Sequence, residues 1–351
     1  MKIKINEKII SDESPIFFIA EAGVNHNGSL DLAFRLVDSA IEAGADAIKF
    51  QTFKTENIIL ENAPKSSYHI ETTGDDQSQS WYQLLKSQEM SLEMHIKIFE
   101  YCKNNNIIFL STPYDIDSAD LLEKLGVQLF KIASTDLNNS LLLNYISKKN
   151  IPLILSTAMS TIDEIDESIN ILKSNKLEEY VIMQCTGNYP ARDEDSNLKV
   201  LNLYKEKFNC LIGYSDHSEN NINAIASTSL GISVFEKHFT LDKTLPGPDH
   251  RMSFEPKQLK KAIDLIRQTE KNLGSSNKRV LDSEKENRLK LRKSLCASQF
   301  IKSNTIVKEN MITAKRPGTA IPANRLDKVL NKKAKVDIEK NQLLNENMFY
   351  D

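Results

Sequence analysis

Two histidines at the ends of neighbouring strands can share a divalent metal, and residues 211–250 contain a candidate pair. In LIGYSDHSENNINAIASTSLGISVFEKHFTLDKTLPGPDH, the apolar runs LIGY and SVFEK flank NINAIASTSLG, whose spacing is that of a helix stopped by Gly231. Each run closes in a polar cluster, Ser215-Asp216-His217 and Glu236-Lys237-His238. Parallel strands joined by a helix point the same way, so both clusters leave one face. Neighbouring strands lie roughly 5 Å apart, close enough for two imidazoles to converge on one ion. The same residues admit a plainer reading, two imidazoles satisfied by hydrogen bonds at strand ends. The rest of the chain decides between them.

The elements that must carry these clusters recur along the sequence. Residues 1–10 alternate Ile with Lys and Asn, the pattern of a short two-stranded lid before Pro15. IFFIAE (16–21) reads as the first buried strand. The helix after it has Ala33, Leu36, Val37, Ala40 and Ile41 as its inner stripe and Gly44 as its stop. AIKFQT (47–52) is the second strand. A polar excursion over 54–89, placed where a barrel enzyme puts a substrate lid, precedes a helix at 91–104. IIFLST (107–112), LFKIAS (129–134), PLILST (152–157) and YVIMQCT (180–186) follow, each leading into a helix. The helix after PLILST opens on Thr161-x-x-Glu164, a capping box. With the two units of the opening stretch and a last helix at 256–274, the chain alternates eight strands with eight helices, the count of a (β/α)₈ TIM barrel. A doubly wound sheet is the competing α/β fold, but neither G-x-G-x-x-G nor a P-loop pattern occurs.

Barrel chemistry sits at the C-terminal ends of strands. In order these ends deliver Glu21, Lys49 with Gln51, Ser111-Thr112, Lys131 with Ser134, Ser156-Thr157, Gln184 with Thr186, and the two histidine clusters. A buried lysine costs several kcal/mol unless an anion compensates it. Two lysines among several hydroxyls therefore point to an anionic substrate, most simply one with phosphate and carboxylate groups. Structural ion pairs with strand-end glutamates are the alternative.

At 351 residues the chain exceeds a barrel of about 250. The division expected is a barrel with its hairpin over 1–275, a linker over 276–293, and a small β-rich module over 294–351 with a marginal core. A net charge of −3 with no long run of one sign gives no indication of nucleic acid or a membrane surface as partner. Cys102, Cys185, Cys210 and Cys296 form no C-x-x-C, as for reduced thiols. No apolar stretch approaches the ~20 residues of a membrane span, and MKIKINEKIISDESP holds no signal-peptide core. The expectation is a cytoplasmic enzyme.

IAEAGVNHNGS, DAIKFQTF, FLSTPYD, FKIAS, LSTAM, QCTGNYPA, GYSDH, EKHFT and GPDH, in order from residue 16 onward, resemble the motifs of the sialic acid synthase family. The module containing KRPGTAI is similar to that family's antifreeze-like (SAF) domain. The resemblance implies condensation of phosphoenolpyruvate with an N-acyl aminosugar, in a homodimer whose SAF domains are swapped to cap the partner's barrel. It implies His217 and His238 as ligands of Mn²⁺ or Mg²⁺, an ion that polarises the sugar aldehyde and activates a water. Glu21 matches the acidic group beside that water, a candidate general base. Lys49, Thr112, Lys131, Ser134, Ser156 and Ser215 match the phosphoenolpyruvate contacts, where lysines and hydroxyls suit a compact anion. Gln51, Tyr189, Asp136 and Asp249 match positions around the sugar hydroxyls. Arg316 matches the residue that reaches the N-acyl group from the other subunit.

The sequence departs from the family at Thr135-Asp136, where Gly-Glu is common, and at Gly187-Asn188 and Ala320. These positions leave the sugar open among N-acetylmannosamine, its 6-phosphate and a 2,4-diacetamido-2,4,6-trideoxyhexose, the precursor of a legionaminate. WYQLLKSQEM is unlike the pseudaminate branch. Rival classes are a Schiff-base aldolase using Lys49 or Lys131, trappable by borohydride with pyruvate, and a non-catalytic carbohydrate-binding protein. A metallohydrolase is a third, although such enzymes usually supply a third firm protein ligand.

Overall fold

The computed structural model describes residues 1–65, 67–73 and 80–350. The chain divides into two compact units, Met1–Gly274 and Ser275–Asp351. The first opens with an antiparallel hairpin, β1 (Lys2–Ile5) and β2 (Lys8–Ser11), turned at Asn6 in the left-handed region, φ 51°. Eight parallel strands follow: β3 (Phe17–Gly23), β4 (Ala47–Thr52), β5 (Ile108–Pro113), β6 (Phe130–Ile132), β7 (Leu153–Ser156), β8 (Tyr180–Cys185), β9 (Leu211–Asp216) and β10 (Val234–His238). They pair in the order β5-β4-β3-β10-β9-β8-β7-β6, so the last strand joins the first, and β5 and β6 lie side by side at the remaining junction. This is the (β/α)₈ barrel that the alternation implies.

Strand side chains alternate between faces, and the two faces have different cores. Phe17, Ile19, Ala47, Ile108, Leu110, Leu129, Ile154, Val181, Leu211 and Val234 cluster with Ile3, Ile5 and Ile10 of the hairpin. Most of these residues begin their strands, so the hairpin closes the N-terminal end of the barrel, opposite the end where the polar residues emerge. The lid expected at 1–10 is thus a floor plug. Phe18, Ala20, Ile48, Phe50, Phe130, Ile212 and Phe235 face outward and pack under the helices.

The helices start and stop where local chemistry directs. Ser29 caps helix Leu30–Ala43 by accepting from the Leu32 N–H, and Gly44 ends it at φ 90°, a conformation glycine adopts without cost. Its apolar residues Ala33, Leu36, Val37 and Ala40 are buried. Thr161 and Glu164 complete the capping box of helix Ile162–Ser174. The excursion at 54–89 contains helices Thr55–Ile58, Ser67–Thr73 and Trp81–Gln88; its positions 66 and 74–79 lie outside the described residues. Inside the barrel, a Cβ on Gly213 would come within 2.9 Å of both the Val234 carbonyl oxygen and Met183 Cγ, so only glycine fits there.

In the second unit a helix, Lys285–Leu291, has no buried residue. Beyond it β11 (Ser294–Ala297) pairs antiparallel with β12 (Ile312–Lys315). Leu295, Ile301, Val307, Val329, Ile338 and Leu344 form a small core of its own.

Candidate active site

The alternation that builds the barrel also selects which strand-end groups meet. On β10 the inward residues are Val234, Glu236 and His238, while Lys237 points outward to Asp216 at 2.8 Å and lies 4.0 Å over the Phe254 ring. Lys237 also donates to the Ser218 carbonyl. The polar triplets at these two strand ends therefore split: Ser215, His217, Glu236 and His238 face the interior, and the Asp216–Lys237 pair ties the outer layer together. The same rule sends Ser111 to Thr52, at 2.6 Å, and Thr157 to Tyr204, at 2.9 Å, while Thr112 and Ser156 face inward.

The inward groups line a cavity of ≈ 450 Å³. Glu21, Lys49, Gln51, Thr112, Lys131, Ser134, Ser156, Tyr189, Ser215, His217, His238 and Asp249 all border it. Lys49 Nζ lies 2.8 Å from Glu21 Oε2 and 3.5 Å from Glu236 Oε2. Lys131 donates to Ser156 Oγ at 2.6 Å and stands 3.6 Å from Glu236 Oε1, which also accepts from Ser215 Oγ at 2.9 Å. Both lysines are thus paired with strand-end glutamates, the alternative to an anionic substrate raised by the sequence. The pairing is uneven. Burial pushes the Glu21 carboxyl up to about 7, against the pull of Lys49 and with the push of Glu236. Burial acts on Glu236 in the same sense but Lys131 and Lys49 outweigh it, holding that carboxyl down to about 2. Burial lowers Lys131, whereas at Lys49 the two glutamates overcome burial and raise it. One firmly ionised carboxylate among two ammonium groups leaves room for an anion.

The histidines lie beside this cluster, their ring centroids 5.5 Å apart. His217 Nδ1 is 2.6 Å from the Thr186 carbonyl oxygen; a ring N–H there leaves Nε2 as the lone-pair side. His238 Nδ1 is buried without a hydrogen-bond partner among the described residues. Burial pushes His217 down to about 4 and His238 well below the usual imidazole range, so both are neutral at pH 7, the state a metal ligand requires. These features fit a divalent ion. No cluster of three or more His, Cys, Asp or Glu suited to a metal occurs among the described residues.

Tyr189 packs on this pair, 4.2 Å from the His217 ring and 5.8 Å from that of His238. Gly23, at φ 53°, lets three polar groups converge. A Cβ there would meet Asp249 Oδ2 and Gln51 Nε2 at 3.3 Å, and Glu21 Oε1 at 3.5 Å. Burial pushes Asp249 up to about 6, partly offset by Lys49.

One expected residue of the barrel does not line this cavity. Asp136, half-buried in the turn Ser134–Asp136, accepts from Asn139 Nδ2 at 3.0 Å, and its neighbour Thr135 borders the cavity instead. Arg316, exposed in the second unit, donates from Nε to the Leu291 carbonyl at 2.9 Å. Conversely, Tyr114, Cys185 and Trp81 border the cavity and carry no site role in the sequence reading, and Glu236, placed there at a strand end, carries none either. Period-two counting back from His238 would have found Glu236. Cys185 could be found the same way, because it stands opposite Ser215 in the β8–β9 register.

Residues 36–278 match the model of the NeuB family, and 292–349 match the SAF domain. The chain belongs to the NeuB family of sialic acid synthases. An N,N'-diacetyllegionaminic acid synthase of Campylobacter jejuni is 42% identical over 330 residues, covering 93% of this chain and 98% of that protein. One of the same name from Legionella pneumophila is 38% identical over 327 residues, covering 92% and 91%. Among solved structures, N-acetylneuraminic acid synthetase of Leptospira borgpetersenii, crystallised with citrate, aligns with a TM-score of 0.71 at 32% identity, over 82% of this chain and 95% of that one. The NeuB-family chain is accordingly an enzyme of the transferase class that makes a nonulosonic acid. No helix among its described residues is long and apolar enough to cross a membrane.

Proposed function

We propose that this enzyme condenses phosphoenolpyruvate with an N-acyl aminosugar to give a nonulosonic acid and phosphate. The observation that carries the reading is one buried cluster in which Lys49, Lys131 and the hydroxyls of Thr112, Ser134, Ser156 and Ser215 adjoin two neutral imidazoles and Glu21. The ammonium and hydroxyl groups hold the phosphate and carboxylate of phosphoenolpyruvate by charge-assisted hydrogen bonds. Glu236 keeps both lysines charged and in place before the substrate arrives. His217 and His238 would hold Mn²⁺ or Mg²⁺, which would supply Lewis acidity toward the sugar aldehyde and toward a water. The C2=C3 π pair of phosphoenolpyruvate forms the bond to the aldehyde carbon, whose oxygen takes up a proton; water then adds at the oxocarbenium-like C2, and phosphate leaves with the C–O bonding pair as the added hydroxyl loses its proton to give the C2 ketone. Glu21, poised near neutrality, takes the proton of that water. Gln51, Asp249 and Tyr189 face the sugar.

Arg316 belongs to the same reading only in a homodimer. The C-terminal module swaps onto the partner's barrel and presents its guanidinium to the sugar's N-acyl oxygen.

The metal assignment is tested by chelation. EDTA abolishes turnover and Mn²⁺ or Mg²⁺ restores it, while His217→Ala or His238→Ala gives a folded protein, by circular dichroism, that no added metal revives. Full activity in a thoroughly chelated sample would remove the metal from the account.

A further inference from the structure

The turn after β3 carries a buried side chain that does not border the cavity yet joins three segments that supply it. The carbonyls of Ala22, Val24 and His26 each accept an N–H from three residues ahead, that of Asn25, Asn27 and Ser29, so the chain coils tightly here. Asn25, 2% exposed, reaches from this turn to the end of β10. Its Nδ2 donates to the Phe239 carbonyl at 2.9 Å and to Ser253 Oγ at 3.1 Å. A carbonyl oxygen only accepts, so the nitrogen of the amide must face it. Phe239 follows His238 and donates its own N–H to the Glu21 carbonyl at 2.9 Å. Ser253 Oγ donates to the Asp249 carbonyl at 2.6 Å. One amide nitrogen therefore ties together the backbones that carry Glu21, His238 and Asp249. The other end of the amide is left over: Asn25 Oδ1 is buried with no hydrogen-bond partner among the described residues. A sealed acceptor without a donor costs stability and offsets what the two bonds on nitrogen contribute. The arrangement is a poor one for stability and a good one for holding backbones in register.

We infer that Asn25 is a positioning residue, whose amide sets His238 and Asp249 against Glu21 through its bonds to Phe239 and Ser253. The inference deepens the condensation proposed above and rests on it for its kinetic consequences. The two histidines differ in what aims them. His217 is oriented by the Thr186 carbonyl, whereas His238 Nδ1 has no such partner among the described residues. The His238 ring therefore depends on packing against Tyr189 and on the backbone that follows it, which Asn25 holds at Phe239. Asp249 Oδ2 and Glu21 Oε1 lie 3.3 and 3.5 Å from the point a Cβ on Gly23 would occupy, so a small shift of the loop changes their separation. A displacement of about 1 Å among reacting groups costs roughly 10²-fold in rate. The two ties are separable: the bond to Phe239 governs His238, and the bond to Ser253 governs Asp249.

The test uses the full-length protein, with folding followed by circular dichroism and thermal unfolding. Mn²⁺ affinity is measured by calorimetry without substrates. Phosphate release with phosphoenolpyruvate and the better used of N-acetylmannosamine and a 2,4-diacetamido-2,4,6-trideoxyhexose gives kcat and KM. Asn25→Ala removes both ties; Mn²⁺ binds about tenfold more weakly and kcat falls by about 10–100-fold. Ser253→Ala removes only the tie to Asp249; KM for the sugar rises by about 3–10-fold while Mn²⁺ affinity is kept. A lower unfolding temperature in Asn25→Ala, with Mn²⁺ affinity, kcat and KM all unchanged, makes Asn25 merely structural and overturns the inference. If Asn25→Ala does not fold, Ser253→Ala decides, and an unchanged sugar KM overturns it. An unaltered protein that binds Mn²⁺ but forms no product removes the condensation, and the Mn²⁺ measurement still judges Asn25. One that turns over without metal leaves kcat and KM to judge it. One that neither binds Mn²⁺ nor releases phosphate leaves Asn25 nothing to position and overturns both readings.

Discussion

Glu21 pairs with Lys49 alone and Glu236 with both Lys49 and Lys131, and the two carboxyls are driven in opposite directions, up to about 7 and down to about 2. The difference separates their roles. Glu236 has Lys131, Lys49 and Ser215 around it and serves as the fixed counter-charge, while Glu21 can exchange a proton at neutral pH. Glu21→Gln preserves shape and removes the base, and kcat falls by about 10²–10⁴ with substrate binding retained. Steady-state kinetics checks this; an unchanged kcat with a raised KM would make Glu21 a binding residue. In the unaltered enzyme kcat rises with pH on a limb centred near 7, and the limb disappears in the variant. The sign for stability is the reverse. A carboxyl raised from 4.5 to about 7 by folding contributes most below pH 4.5, and that contribution is lost as pH rises through 7.

At the scale of elements, the barrel strands hold lysines of two kinds. Lys49 and Lys237 both sit in apolar runs, but Lys49 points into the barrel and Lys237 outward to Asp216. Lys237→Met strands the buried Asp216 carboxylate and lowers unfolding free energy by about 3–5 kcal/mol. Denaturant titration measures it, and an unaffected midpoint would show the pair to be dispensable. This division explains how much was legible beforehand. The eight strands, the stop at Gly44, the capping box at Thr161 and the pairing of two histidines all follow from local sequence patterns. Trp81 was not legible as a site residue, because nothing local shows that the excursion after β4 folds back to the turn at Gly28. Nor could the sequence divide Glu21 from Glu236, since that difference comes from which ammonium each one faces.

For the whole molecule, Arg316 and the barrel cluster lie in different compact units, and the proposed dimer supplies the one to the other. Mixing Arg316→Ala chains with His217→Ala chains under subunit exchange tests the sharing. Each homodimer is nearly inactive, whereas a mixed dimer has one site with both defects and one with neither, recovering about half of the unaltered activity. Confirmed mixed dimers that stay inactive would place Arg316 in its own chain's site or in none. The central claim is the condensation itself, and phosphate release measured with each reactant withheld in turn tests it most directly. The account predicts phosphate only when phosphoenolpyruvate, an N-acyl aminosugar and Mn²⁺ or Mg²⁺ are all present, in equal amount to the nonulosonic acid formed. Phosphate released from phosphoenolpyruvate without any sugar, or product formed without phosphate, would contradict it.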